Sequence, residues 1–181
     1  TKWLGGYTPG SNYIIENSYV KINCKQTVVT KSGSYLYIRW AATFKSSFTG
    51  KKNMYVYARD KAGSSTGWVN KGTWTIDGTA PTGTIYINNN AKYANQAQVT
   101  LYLSASDSLS GVDKMQFSND GRSWTAAEPY SIRKTWNLTA GDGTKSVFVK
   151  YSDKSGNWSP PYVDTIILDT VPPPPPAIDP V

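Results

Sequence analysis

Met54-Tyr-Val-Tyr-Ala-Arg-Asp60-Lys-Ala-Gly63 and Val147-Phe-Val-Lys-Tyr-Ser-Asp153-Lys-Ser-Gly156 are one phrase written twice. Each is an apolar, β-favouring run that ends in an Asp-Lys-small-Gly turn. Each is followed by a tryptophan, Trp68 or Trp158, and then by a closing run, Thr73-Trp-Thr-Ile-Asp77 or Thr165-Ile-Ile-Leu-Asp169. The first aspartates lie 93 residues apart and the second ones 92 apart. A repeat of that period reads as two duplicated modules, each with its own core.

Working outward from the second copy, the period-2 pattern is clear. Thr84-Ile-Tyr-Ile-Asn88 reads as a first strand closed by an Asn-rich turn at Asn88–Asn90. Ala97, Val99, Leu101, Leu103 and Ala105 alternate with Gln98, Thr100, Tyr102 and Ser104, which predicts a strand with one buried face. Asp107-Ser-Leu-Ser-Gly111 turns the chain into Val112–Ser118, and Asn119-Asp-Gly121 is a hairpin signal. Short strands around Trp124 and over Ile132–Leu138, the turn Gly141-Asp-Gly143 and the repeated strand complete the module. About seven short strands with turns every eight to twelve residues is the pattern of an immunoglobulin-like sandwich.

The first copy has the same habits with less regularity. Val20, Ile22 and Cys24 alternate with Lys21 and Asn23, and Leu36, Ile38, Trp40, Ala42 and Phe44 alternate with Tyr37, Arg39, Ala41 and Thr43. The fold class expected is therefore all-β: two tandem immunoglobulin-like antiparallel β-sandwiches followed by a polyproline tail. Module boundaries fall at 1–77 and 78–170. Residues 171–181, with five consecutive prolines, read as a stiff linker or tail.

Composition narrows the chemistry. The chain has no histidine, which removes the commonest general base, the commonest zinc ligand and every Ser-His-Asp or Cys-His mechanism. Cys24 is the single cysteine, so neither an intrachain disulfide nor a multi-cysteine metal site can form. Alternating with apolar residues, it reads as a small buried hydrophobe. No apolar run reaches the length of a membrane span. The expectation is a protein that is not an enzyme. Charge is uneven: residues 1–77 carry eleven basic and three acidic side chains, a net of +8, whereas 78–170 are neutral. The excess is a solubilising face, or it attracts an acidic polysaccharide to the first module. Lysine prevails over arginine, so no nucleic-acid partner is expected.

Several phrases of the second copy are those of a known family: Thr79-Ala-Pro-Thr-Gly83, Ser104-Ala-Ser-Asp-Ser-Leu-Ser-Gly-Val112, Gln116-Phe-Ser-Asn-Asp-Gly-Arg-Ser-Trp124 and Asp153-Lys-Ser-Gly-Asn-Trp158. In these it resembles the bacterial immunoglobulin-like tandem repeats of secreted and cell-surface proteins. Trp3-Leu-Gly-Gly6, Phe48-Thr-Gly-Lys-Lys-Asn53 and Lys71-Gly-Thr-Trp-Thr-Ile76 resemble a companion domain of such proteins. In that companion, further strands precede the Trp-Leu-Gly segment. The resemblance implies a non-catalytic extracellular or cell-surface structural, spacer or adhesion protein, including a polymerising or strand-exchanging subunit. Its partners would be other chains of a surface assembly or a strand-completing neighbour. The alternative is a carbohydrate-binding accessory module of a larger secreted protein.

Two sets of residues are candidates for a site. Asp107 and Asp153 fall in loops expected at one end of the second sandwich, and Asp77 on the segment entering it. Three carboxylates there would offer oxygens to calcium, which takes six to eight. The alternative is that each aspartate caps its own turn. Trp3, Trp68, Trp124, Trp136 and Trp158 lie near turns or strand ends. They would contact a glycan or a partner, or else plug the ends of the sandwich cores.

Overall fold

The computed structural model describes residues 6–45 and 47–176. The described residues are all-β apart from one 3-10 turn, Cys24–Gln26, and the chain divides into two compact units, Thr1–Thr79 and Ala80–Val181.

In the second unit the strands form a two-sheet sandwich. They are β8 (Thr82–Ile87), β9 (Tyr93–Ala94), β10 (Gln98–Ser106), β11 (Val112–Ser118), β12 (Glu128–Pro129), β13 (Arg133–Asn137), β14 (Gly143–Asp153) and β15 (Tyr162–Leu168). One sheet has the order β13-β10-β8 and the other β12-β11-β14-β15-β9, where only the β15–β9 pair is parallel. The alternating residues of each strand supply one inner face. Ile85, Ile87, Val99, Leu101 and Leu103 meet Met115, Phe117, Val147, Val149, Tyr151, Ile166 and Leu168 in a single buried cluster.

Two polar contacts tie the layers. Asp164 Oδ2 accepts the Ile87 N–H at 2.7 Å, and the Tyr151 hydroxyl donates to the Thr84 carbonyl at 2.6 Å. Gly83 lies opposite Ala105 in the ladder, and a Cβ there would come within 2.5 Å of the Tyr151 ring and 2.6 Å of the Ser104 carbonyl. Only glycine lets that strand pass. The Asn-rich turn is also found: Asn88, Asn89 and Asn90 have φ of 46°, 58° and 67°, a conformation in which asparagine is enriched.

Asn119-Asp-Gly121 does not make the tight hairpin its sequence signals. Asp120 Oδ1 instead accepts the N–H groups of Arg122 and Ser123 and the Ser118 hydroxyl. The chain turns around that carboxylate, and pairing with β11 resumes only at Thr125, whose N–H meets the Phe117 carbonyl. No strand forms at Trp124; the short β12 follows it.

The first unit is built differently. Its strands are β1 (Ile14–Glu16), β2 (Val20–Asn23), β3 (Val28–Ser32), β4 (Tyr35–Arg39), β5 (Ala42–Phe44), β6 (Gly50–Val56) and β7 (Val69–Ile76). They make a three-stranded sheet, β1-β2-β5, and two separate ribbons, β3-β4 and β6-β7. The run Leu36–Phe44, continuous in its period-2 pattern, is split between sheets. The break follows from two bonds: Ala41 N–H donates to Thr27 Oγ1 at 3.3 Å, and the Ala41 carbonyl accepts the Asn23 N–H at 2.9 Å. The chain thus leaves β3 for β2 at Trp40–Ala41.

Among the described residues of this unit only Cys24 and Thr27 are buried. Eighteen large apolar side chains stand exposed, against seven in the second unit. A closed core like that of the second unit is therefore absent among these residues. Val171–Pro176 are exposed and carry neither strand nor helix.

Candidate functional site

The second unit brings two of the three candidate aspartates together. Asp107 follows β10 and Asp153 ends β14; carboxylate oxygens of the two lie within 4.8 Å of each other. Each is held by its own loop. Asp107 Oδ1 accepts the N–H groups of Leu109, Ser110 and Gly111 at 3.1, 2.9 and 2.8 Å. Asp153 is 2% exposed, and its two oxygens accept the backbone and side-chain N–H groups of Asn157 at 2.8 and 2.7 Å. Both aspartates are thus turn caps first, with the Asp107 Oδ2 lone pairs left over for a cation or water. Asp77 belongs to the first unit. It follows β7, and its Oδ1 accepts the N–H and hydroxyl of Thr79 at 3.0 and 2.8 Å.

Trp3 lies outside the described residues. Trp68, in the first unit, is 60% exposed and packs against Tyr57 at 5.4 Å and a 45° tilt, not coplanar with it. In the second unit Trp158 is 38% exposed, and Trp124 carries the Lys150 ammonium 4.1 Å above its ring. The repeated pair Trp68 and Trp158 therefore does not plug core ends. The tryptophan that does seal a core is Trp136, which packs on Phe117 at 5.5 Å and donates its indole N–H to Asn119 at 2.8 Å.

A feature that sequence reading placed only roughly is the β1 side of the first unit. β1 is an edge strand. Its ladder with β2 pairs Ile14 with Asn23, Ile15 with Ile22 and Glu16 with Lys21. The flanking bonds, Cys24 N–H to the Tyr13 carbonyl and Asn17 N–H to the Val20 carbonyl, show which residues face β2. By alternation, Tyr13, Ile15 and Asn17 turn their backbone groups to β2, whereas Ile14 and Glu16 present theirs outward. Beside this edge lies a groove of about 270 Å³, lined by Gly6, Tyr7, Pro9, Ile15, Ile22, Cys24, Thr27 and Trp40. Ile15 and Ile22 are opposite one another on its floor. Tyr13 stacks on Tyr7 at 4.2 Å, and Lys45 binds Glu16 at 2.8 Å, which holds that carboxyl below its usual range. The alternation of Val20, Ile22 and Cys24 signalled a buried face; among the described residues Cys24 is buried, whereas Val20 and Ile22 are half-buried.

Comparison with known proteins bears chiefly on the second unit. Residues 81–149 match the model of a bacterial Ig domain. No curated protein matches the chain. Among solved structures, the chain is similar to the PKD1 domain of Vibrio anguillarum Epp, at 13% identity and a TM-score of 0.39, over 51% of this chain and 98% of that one. It is similar to fibronectin(III)-like modules of Clostridium thermocellum CbhA, at 16% identity and a TM-score of 0.42, over 87% of this chain and 86% of that one. It is also similar to a tetra-tandem repeat in the extending region of a large adhesion protein, at 17% identity and a TM-score of 0.32. There the match covers 83% of this chain and 42% of the other. The second unit, an immunoglobulin-like β-sandwich, is the part of the chain that carries the match to a bacterial Ig domain.

Proposed function

We propose that this chain is a non-catalytic, extracellular structural module of a bacterial surface protein, in which the second unit is a rigid spacer and the first unit takes up a strand from a protein partner. The observation that carries the reading is the contrast in burial. One immunoglobulin-like unit closes fourteen apolar residues into a core, while the other leaves its strand faces exposed. Exposed apolar surface on that scale marks an interaction site on a stable protein. The family match over residues 81–149 supports the spacer role, and no helix among the described residues is long and apolar enough to cross a membrane.

Amide hydrogen exchange on the monomeric chain tests this. Amides in β10, β11, β14 and β15 should exchange at rates set by global unfolding, and those of β1–β7 orders of magnitude faster. Equal protection in both units would mean that the first is already complete, and would remove the strand-acceptor role.

A second reading, compatible with the first, is favoured by the Asp107–Asp153 pair: a weak calcium site that stiffens the loops at that end of the second unit. Its donor set is sparse for calcium, so backbone carbonyls and water would complete the shell.

A further inference from the structure

We propose that the crevice between β13 and the 118–125 loop of the second unit binds one uncharged sugar ring, the end residue of a glycan. The site goes beyond the spacer and strand-acceptor roles and does not depend on either. Its volume is about 280 Å³, just under the roughly 300 Å³ at which pockets for drug-sized ligands begin. It has room for one ring and not for a length of chain.

The lining is fixed before any ligand arrives. Phe117, fully buried, closes the bottom. The half-buried Trp136 is held by packing on Phe117 and by its indole N–H bond to Asn119, whose side-chain amide in turn donates to the Asn137 carbonyl at 3.3 Å. An indole offers the flat apolar surface on which the C–H face of a pyranose packs. The polar groups beside it are those that hydroxyls satisfy. Asp120 Oδ1 already takes three donors, from Arg122, Ser123 and Ser118, so the acceptor positions left on the carboxylate are chiefly those of Oδ2. Thr125 Oγ1 accepts the Phe117 N–H at 3.1 Å and keeps its own proton to give, and Thr139 adds an exposed hydroxyl. A carboxylate that only accepts, with threonine hydroxyls that both give and take, complements the neighbouring hydroxyls of a sugar ring.

Charge decides among sugars. The N–H groups that fix Asp120 hold its carboxyl far below its ordinary value, so it stays ionised at any physiological pH. Among the described residues no lysine or arginine is paired with it. A uronate would set a second negative charge beside that carboxylate, whereas a hydroxyl makes a charge-assisted hydrogen bond to it without repulsion. An ammonium gains little there, because Asp120 is exposed to solvent.

The test titrates the full chain, labelled with nitrogen-15, with the methyl glycosides of glucose, galactose, mannose and N-acetylglucosamine. At least one should shift the Asp120, Ser123, Thr125 and Thr139 amides and the Trp136 indole N–H. A Kd of about 1–10 mM is expected for so small a ligand. Glucuronate should bind at least about fivefold more weakly. Thr139→Val removes an exposed hydroxyl and should weaken binding about three- to tenfold. Asp120→Asn keeps an Oδ1 for the loop N–H groups but replaces the charged acceptor with a donor, and should weaken it about tenfold or more. Amide shifts unchanged outside the loop would show that both variants remain folded.

The proposal is overturned if no glycoside moves those signals at about 50 mM, several times the expected Kd. It is equally overturned if the shifts map elsewhere on the unit, if glucuronate binds as well, or if either variant binds with unchanged affinity. Binding of arginine or glucosamine where every methyl glycoside fails would make this a cation site instead. Loss of binding when the same ring ends a trisaccharide would remove the glycan as its source.

Discussion

Leu101→Ala should unfold the second unit early and leave the first unchanged. Leu101 is fully buried on β10, the central strand of its sheet, opposite Ile87, which is also fully buried. Removing three side-chain carbons there loses their transfer free energy and leaves a cavity that the two sheets cannot collapse around. Comparable changes cost about 2–5 kcal/mol, and a central site with both neighbouring strands in place belongs near 3 kcal/mol. With an m-value of about 1.5 kcal/mol/M in urea, the midpoint of the second unit falls by about 2 M. Leu36→Ala is the matched change on β4, where the side chain is 62% exposed, and it should cost under about 0.5 kcal/mol. Urea titrations read at amides assigned to each unit separate the two transitions. A loss below about 1 kcal/mol for Leu101→Ala would refute the sandwich packing. A loss above about 2 kcal/mol for Leu36→Ala would show that the first unit buries this leucine after all.

Other perturbations address particular contacts. Gly83→Ala drives a Cβ against the locked Tyr151 ring and the Ser104 carbonyl, and should cost about 1–3 kcal/mol by thermal unfolding; a neutral result would mean that β8 moves freely. Burial and then the nearby Tyr130 and Tyr162 phenols push Tyr151 above its ordinary value of 10.0. The unfolded chain therefore releases that proton first, and the stability of the second unit should fall by up to about 1.4 kcal/mol per pH unit above pH 10, a slope that Tyr151→Phe abolishes. Asp120 is the opposite case: backbone N–H groups of Ser123 and Arg122 and the Ser118 hydroxyl hold its carboxyl far below its ordinary value of 3.8. Its loop should keep its amide chemical shifts while ordinary aspartates titrate, and collapse of those shifts near pH 4 would contradict the bonding described. For calcium, a site with a Kd of about 1 mM would stabilise the second unit by about 1.4 kcal/mol at 10 mM. Asp107→Asn should remove that gain, and no shift in Tm at 10 mM would end the calcium reading.

For the second unit, much of the fold was legible residue by residue. The inward set on β10 was written as strict alternation from Ala97 to Ala105, and Val99, Leu101 and Leu103 are indeed the buried positions. The Asn88–Asn90 turn could be read for a similar reason, since side chains that tolerate positive φ are few. Asn119-Asp-Gly121 misled because the signal is degenerate: the same residues serve a tight hairpin or an Asx turn. Which one forms depends on whether the carboxylate finds N–H groups at Arg122 and Ser123. The tryptophans misled for another reason. Trp68 and Trp158 repeat in sequence, but Trp136, with no counterpart in the repeat, is the one that packs on the core, because burial depends on what faces a ring across the sheets.

By itself, then, the sequence determined what is local and periodic: strands rather than helices, a repeated unit, a chemistry without histidine or paired cysteines, and a basic first half beside a neutral second. Those follow from side-chain shape, spacing and charge, which need no knowledge of neighbours. Tertiary structure alone decided which apolar faces find a partner. Val20, Ile22 and Cys24 alternate as cleanly as Val99, Leu101 and Leu103, yet Ile22 and Cys24 line an open groove while the second set closes a core. The difference lies in the strands packed opposite them, a long-range property that no local pattern encodes.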